Sequence, residues 1–407
     1  MEPLLASSPA SPPTVRKGST QHLAGFAYFT FICYLSIGLP LAVLPPYVHL
    51  RMGYSAALAG LVISIQYIAT LVSRPWAGRI SDRYGAKVSV LWGMCACSAS
   101  GGVVILAAVA HDFRWLSFGL LILSRLMLGT GESLGSTGST LWGITSAGPE
   151  FTAKVISFNG ISTYGGMAIG APLGVIMDQR WGLTSIGLLT LVLCGYSFLL
   201  ARMKDPAPLV HGENLPFYQV LGRVAPHGMG LALGGVGYSV LATFITLFYL
   251  HAHWNGAALC LSSFGVAFIL ARIFFIRTID RFGGYPVGLT CLSIELVGTL
   301  LLWQSTSPWM ALIGAGFTGL GFSLVFPSLG VEAVKRVTEN NRGAALGVYT
   351  AFADVSFFLT GPIAGAVIGA WGYPSVFLFT LVCVIAALGI TVVLMEMAKR
   401  QLLAASS

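Results

Sequence analysis

Twelve uninterrupted apolar runs, most of them about 20 residues or longer, govern what this chain can fold into. They span 22–48, 56–76, 88–110, 115–140, 155–177 and 183–202, then 226–250, 256–276, 286–304, 309–331, 344–368 and 375–396. A helix needs roughly 20 apolar residues to cross the hydrocarbon of a bilayer. With no water there to bond backbone N–H and C=O groups, only helices and closed barrels span it. Barrel strands read as alternating segments of about 10 residues. The runs here are continuous and longer, so the spans are predicted to be helical. Only 9% of the 407 residues are charged, against about 25% in soluble domains. That leaves too little polar surface for a soluble enzyme or a nucleic-acid-binding domain.

The segments between the runs set the organisation. Residues 1–21 are rich in Ser and Pro and read as a disordered tail. The run that follows is too long for the apolar region of a signal peptide. Residues 203–225 hold Pro206, Pro208, His211, Gly212 and Pro216 and form the longest polar connection. They predict a linker between halves at 22–202 and 226–398, with a second tail at 399–407. Of 22 Lys and Arg residues, 18 fall in the segments on one side of the membrane. Arg51, Arg114 and Arg180 fall on the other, and Arg125 lies within a span. Loops rich in Lys and Arg stay cytoplasmic, which places both termini inside. The net charge of +8 then has a topological origin, and no nucleic acid partner is expected.

Other chemistries find no support. The seven cysteines lie inside apolar runs, and Cys95 and Cys97 lack a metal-ligand spacing, so neither a disulfide nor a metal site is expected. Gly131 to Gly135 matches a nucleophile-elbow pattern, which requires a strand–turn–helix setting and a His partner. Here it lies within a helical run without an intramembrane His. No phosphate-cradling loop is present, and no cofactor is expected.

An internal repeat divides the chain. Residues 73–87, SRPWAGRISDRYGAK, align with 271–285, ARIFFIRTIDRFGGY. At an offset of 198, Arg74/Arg272, Arg79/Arg277, Asp82/Asp280, Arg83/Arg281 and Gly85/Gly283 coincide. A second echo at an offset of 190 matches Gly170-Ala171-Pro172…Trp181-Gly182 with Thr360-Gly361-Pro362…Trp371-Gly372. The fold class is therefore an all-α membrane protein of 12 transmembrane helices in two six-helix halves. Parallel repeats of this kind mark secondary transporters, with the substrate site near the midplane between the repeats. Gly78 to Lys87 resembles the loop 2–3 signature of the major facilitator superfamily (MFS). Leu121-x-x-x-Arg125-x-x-Leu128-Gly129-x-Gly131 resembles the fourth-span signature of its proton-coupled members. Gly166-x-x-x-Gly170-Ala171-Pro172-Leu173-Gly174 resembles the fifth-span antiporter signature, with Gly-Ala-Pro in place of Gly-Pro. SIGLPLAVLPPYV, STLWGI and GFSLVFPSLGV are similar to stretches of the YhhS/YfcJ group of bacterial permeases. The resemblance implies a multi-pass, drug:proton antiporter-like permease of the bacterial inner membrane, monomeric, moving a small molecule.

The candidate residues follow from charge at depth. A charge at the bilayer centre costs at least about 2.5–3.5 kcal/mol on insertion scales, so each demands a partner, water or a proton. Arg125, Glu132 and Asp354 are the proton-coupling or substrate candidates. Burial favours a neutral carboxyl and a nearby cation favours its charged form, so a carboxyl between the two can load and release protons. Arg125 would tune such a carboxyl or hold an anionic substrate group, unless it forms a static pair with Glu132. The resemblance implies that the ninth span is peripheral, so Glu295 there is expected to hydrogen-bond between helices. Gly78, Asp82, Arg83, Gly85 and Lys87, with Asp280 and Arg281 in the second copy, form a candidate conformational latch. Within it, Gly78 would allow close helix approach and Gly85 a tight turn. Gly166, Gly170, Pro172, Gly174, Gly361 and Pro362 form a candidate seam and gate. Tyr28, Tyr34, Gln66, Tyr67, Asn159, Tyr238 and Phe244 are candidate cavity residues. The expected activity is export of a small organic compound in exchange for protons, by rocking one half against the other. Proton-coupled uptake of a sugar or organic acid is the alternative.

Overall fold

The computed structural model describes residues 20–148, 151–206, 217–275, 277–337 and 342–406. Twelve long helices follow in order. The first six are α1 Thr20–Leu41, α2 Ala56–Tyr84, α3 Ala86–Val109, α4 Arg114–Ala147, α5 Thr152–Trp181 and α6 Leu183–Met203. The second six are α7 Phe217–His251, α8 Ala258–Phe275, α9 Gly284–Trp303, α10 Pro308–Val334, α11 Arg342–Trp371 and α12 Ser375–Ser406. No strand occurs among the described residues. Eleven helices are long and apolar enough to cross a membrane. The twelfth, α4, has the length, but Arg125, Glu132 and its many Ser, Thr and Gly residues lower its hydropathy.

The sequence repeat is also a backbone repeat. Gly85 (φ 94°) turns the chain from α2 into α3, and Gly283 (φ 85°) turns it into α9. Gly182 (φ 72°) and Gly372 (φ 84°) do the same after α5 and α11. These left-handed conformations strain any residue with a β-carbon. The two copies differ at one point. α2 runs unbroken to Tyr84, whereas α8 stops at Phe275 and a separate short helix, Thr278–Phe282, follows.

Several boundaries differ from the expected ones. α1 ends at Leu41, and the chain continues through a turn at Leu44–Pro46 and a wide turn at Tyr47–Arg51. Pro45 and Pro46 lack the N–H groups that a regular helix would use. α7 starts at Phe217, so 217–225 of the expected linker is helical, while 207–216 lies outside the described residues. The expected N-terminal tail lies outside them up to residue 19. The expected C-terminal tail is helical as far as Ser406.

The helices bury their small residues and turn large apolar ones outward. α1 and α7, the first helix of each half, are the most enclosed. Val72, Leu188, Val192, Leu199 and Ile385 are exposed, as lipid-facing residues should be. Trp115, Trp181, Trp309 and Trp371 are exposed at helix ends on the side away from the termini, where an interfacial aromatic belt forms.

Glycine contacts set the close approaches, as small residues do between membrane helices. Gly166, Gly170 and Gly174 of α5 press on α1. A β-carbon on Gly170 would lie 2.7 Å from the Leu35 carbonyl oxygen, and one on Gly174 would collide with the Leu39 carbonyl. Between the halves, a β-carbon on Gly361 of α11 would lie 2.6 Å from the Gly60 carbonyl oxygen of α2. Ser262 of α8 donates to the Ala168 carbonyl of α5 at 2.7 Å, and Tyr238 of α7 donates to the Met167 sulfur at 2.6 Å. These seams close the halves from the midplane to the side away from the termini. Pro172 and Pro362 lie inside α5 and α11, which continue past them.

Gly174→Ala tests the α1–α5 seam. The obstruction is backbone, so overpacking should cost about 1–3 kcal/mol and lower the thermal midpoint of the purified protein. Gly369→Ala, where a β-carbon meets nothing within 4 Å, should leave the midpoint unchanged.

Candidate functional site

A cavity lies between the two halves. Its deep chamber, about 120 Å³, is walled by Tyr34, Tyr67, Arg74, Glu132, Tyr164, Tyr238, Phe357 and Asp354, among others. A wider chamber of about 630 Å³ shares Tyr34, Arg74, Thr163, Tyr164, Phe326 and Thr350 with it. That chamber extends to Gly78, Ser81, Ile144, Ile156 and Gly347. These sit near the helix ends on the terminus side, so the cavity opens there and is sealed on the other. Its size is in the range of small-molecule sites, about 300–1,000 Å³.

An ion pair crosses the cavity. Both Arg74 Nε and Nη2 donate to the Asp354 carboxylate, the latter to Oδ1 at 3.0 Å. Arg74 comes from α2 in the first half and Asp354 from α11 in the second. The Asp354 side chain is 6% exposed and that of Arg74 29%. A two-pronged guanidinium–carboxylate bond fixes geometry as well as charge. Asp354, expected as a carboxyl at depth, lines the deep chamber. Its partner was not foreseen, because Arg74 was counted with the loop cations. α2 extends ten residues beyond Arg74, which places it within the span. Arg272, three residues before the end of α8, also lines the wider chamber, leaving 16 loop cations against three.

Glu132 lines the deep chamber from α4. Its Oε1 accepts from the Tyr34 hydroxyl at 2.8 Å, and its Oε2 from the Thr70 hydroxyl at 3.2 Å. Both donors are neutral, so no cation is bonded directly to this carboxyl. Arg125 does not pair with it, which removes the static-pair alternative. Arg125 is 1% exposed, and all three guanidinium nitrogens are buried without a hydrogen-bond partner. It lies outside the cavity lining, in the electrostatic field of Glu132, Tyr67 and Tyr238. Glu295 is 0% exposed in the second half, and neither of its oxygens has a partner. The expected bond between helices is therefore absent. The carboxyl instead sits against Gly234 and Gly237 of α7.

Of the candidate cavity residues, Tyr34, Tyr67, Asn159 and Tyr238 line the chambers. Tyr28 instead bonds Ser197 at 3.1 Å. Gln66 is fully buried at the α2–α4 crossing, and Phe244 is core packing under Gly60. Aromatic rings absent from that set, Tyr164, Phe322, Phe326 and Phe357, complete the wall. Tyr164 stacks on Phe268 with centroids 3.6 Å apart.

The candidate latch is only partly visible. Gly85 makes its turn, but a β-carbon on Gly78 would meet nothing within 4 Å. Gly78 therefore borders the open chamber and does not allow close helix approach. The side chain of Asp82 lies outside the described residues. Lys87 donates to the carbonyls of Arg202 at 2.9 Å and Lys204 at 2.5 Å. A cation is thereby placed at the C-terminal end of α6, where the helix dipole favours one. Arg83 and Arg281 lie over the rings of Tyr84 and Phe282. Neither of them, nor Asp280, joins an ion pair among the described residues.

Two six-helix halves around a cavity open to one side are the architecture of a membrane transporter, and the comparisons place it. The profile of the Major Facilitator Superfamily matches residues 26–259 and 228–401. An MFS-type transporter of Burkholderia mallei (strain SAVP1) is 49% identical over 397 residues, covering 97% of this chain and 98% of the relative. One of Pseudomonas aeruginosa (strain LESB58) is 50% identical over 393 residues, with 97% and 98% covered. Among solved structures, the nucleoside transporter NupG matches at a TM-score of 0.73 and 16% identity, over 91% of this chain and 99% of that one. The human organic anion transporter MFSD10 matches at 0.70 and 14%, over 94% and 100%. The chain belongs to the Major Facilitator Superfamily: it is a multi-pass membrane transporter of small molecules and not an enzyme.

If the Arg74–Asp354 bond couples the halves, a double-mutant cycle will show it. Arg74→Gln and Asp354→Asn should each destabilise, and the double variant should lose less than their sum. The expected coupling is about 0.5–3 kcal/mol, read from thermal midpoints in one detergent.

Proposed function

We propose that this chain is a proton-driven exporter of a small organic compound, working by rocker-switch alternating access. The observation that carries the reading is the cross-half ion pair inside a cavity that also holds a second carboxyl. Protonating Asp354 removes the charge that holds Arg74, so one proton changes a bond between the halves. A ligand or proton shifts a two-state equilibrium only through its different affinity for the two states, and this bond supplies such a difference. Glu132, bonded only by Tyr34 and Thr70, is the second proton-carrying candidate, and Arg125 behind it sets the local field. Pro172 and Pro362 lie where α5 and α11 would flex, and the Asp82 loop would latch one state.

The loop charges support the export direction. The cavity opens on the side with 16 cations against three, which the positive-inside rule assigns to the cytoplasm, of the bacterial inner membrane in this reading. A site loaded from the cytoplasm and driven by inward proton movement exports. Each charge moved inward gains about 2.3 kcal/mol per 100 mV. A monomer suffices, because one chain contains both halves of the cavity.

Inside-out vesicles with an acid lumen test this reading. A panel of organic acids, sugars and cationic drugs is added, and proton release is read with a dye. At least one compound should release protons from wild-type vesicles and none from Asp354→Asn vesicles. No release from any compound, together with accumulation in right-side-out vesicles, would overturn export in favour of uptake.

A further inference from the structure

The repeat pairs Arg74 with Arg272, and the structure brings both into the cavity from opposite halves. Their surroundings differ. Arg74 is met by Asp354. Arg272, on α8, pairs with no carboxylate among the described residues. Its Nη2 donates to the Ser323 carbonyl at 3.1 Å, and its Nε is buried without a partner. Its guanidinium carbon lies 4.9 Å from the centroid of the Phe268 ring, which in turn stacks on Tyr164. Across the half boundary, α5 presents Gly160. A β-carbon there would overlap Arg272 Nη1, so this glycine leaves the arginine its room.

An arginine without a counter-charge in a confined cavity is costly, because desolvation of a charge is offset only by an opposite charge and full hydrogen bonding. The acids that line the cavity are already engaged: Asp354 by Arg74, and Glu132 by Tyr34 and Thr70. The missing counter-charge must come from what enters. A guanidinium offers donors in a planar fork that matches a carboxylate. Beside it lies a fixed aromatic platform and the apolar side of Phe326.

We propose that Arg272 is the docking group for the carboxylate of an organic anion whose aromatic or apolar body rests on Tyr164 and Phe326. The inference rests on the reading that this cavity carries the transported solute, and it adds the substrate class. It also assigns the two related arginines different work, Arg74 to the bond between halves and Arg272 to the ligand.

The test uses the full-length protein in detergent, with thermal midpoints read against matched probes: benzoate and indole-3-acetate, benzamide, and benzylamine. The carboxylates should raise the midpoint saturably and the amide and amine should not. Arg272→Gln should weaken the carboxylate effect at least ten-fold, Arg272→Lys should lose less, and Arg180→Gln, an exposed arginine outside the cavity, should lose nothing. Gly160→Ala, which displaces the guanidinium without removing it, should weaken the same effect if Arg272→Gln fails to fold. The proposal is overturned if no carboxylate stabilises, if the amide acts as well as the acid, or if both variants bind as wild type does. Carboxylate binding that persists while no compound moves protons in vesicles would remove the coupling reading and leave this one standing.

Discussion

A charge inside a bilayer must be answered by another charge, by water or by a proton, and Arg74 and Asp354 answer each other across the boundary between two halves. Much of the cavity's organisation depends on that bond. It fixes α2 against α11 at mid-depth, with Glu132 lining the same chamber. Removing one partner of a buried pair leaves an uncompensated charge, which costs several kcal/mol where burial is complete. Arg74 is partly exposed to the cavity, so the cost here is smaller. A bond of moderate strength would suit the proposed joint, which opens and re-forms.

Much of the rest of the interface between the halves is uncharged and close. Gly361 on Gly60, Gly265 on Ala168, and Tyr238 on Met167 form a seam without charge on the side away from the termini. Within the first half, α5 is locked to α1 by three glycines at spacings of four. Tight packing inside a half and, among the described residues, one ion pair between halves is a division of labour that suits the proposed rigid-body rocking. Packed cores are bistable and do not deform continuously, so motion concentrates at the few contacts that can be exchanged.

Much of this was legible in the sequence, and what was missed has physical causes. The twelve runs gave the spans, the offsets of 198 and 190 gave the halves, and Gly85 was expected to turn; its repeat partner Gly283, and the pair Gly182 and Gly372, prove to turn as well. Glu132 and Asp354 stood out because acids are rare in apolar runs. Arg74 did not, because it lies near the end of its apolar run and hydropathy cannot say where the water ends. The helix continues to Tyr84, which carries Arg74 into the cavity. The coincidence of Arg74 and Arg272 in the repeat was the available signal, and it was read as topology. Glu295 shows the converse limit: spacing places an acid in a helix, but only its packing against Gly234 and Gly237 shows that no donor reaches it. Phe244 and Gln66 show that residue type alone does not separate a cavity wall from a core.

The central claim is that the halves exchange between two arrangements and that the Arg74–Asp354 bond biases the exchange. The most direct measurement is the distance between spin labels at Lys154 on α5 and Arg277 beyond α8, both at the cavity mouth, in a background without other cysteines. The account predicts two distance populations for the wild-type background, the longer matching this open cavity, and a shift toward the shorter when Asp354→Asn removes the bond. A single distance, unchanged by that substitution and by pH, would contradict it.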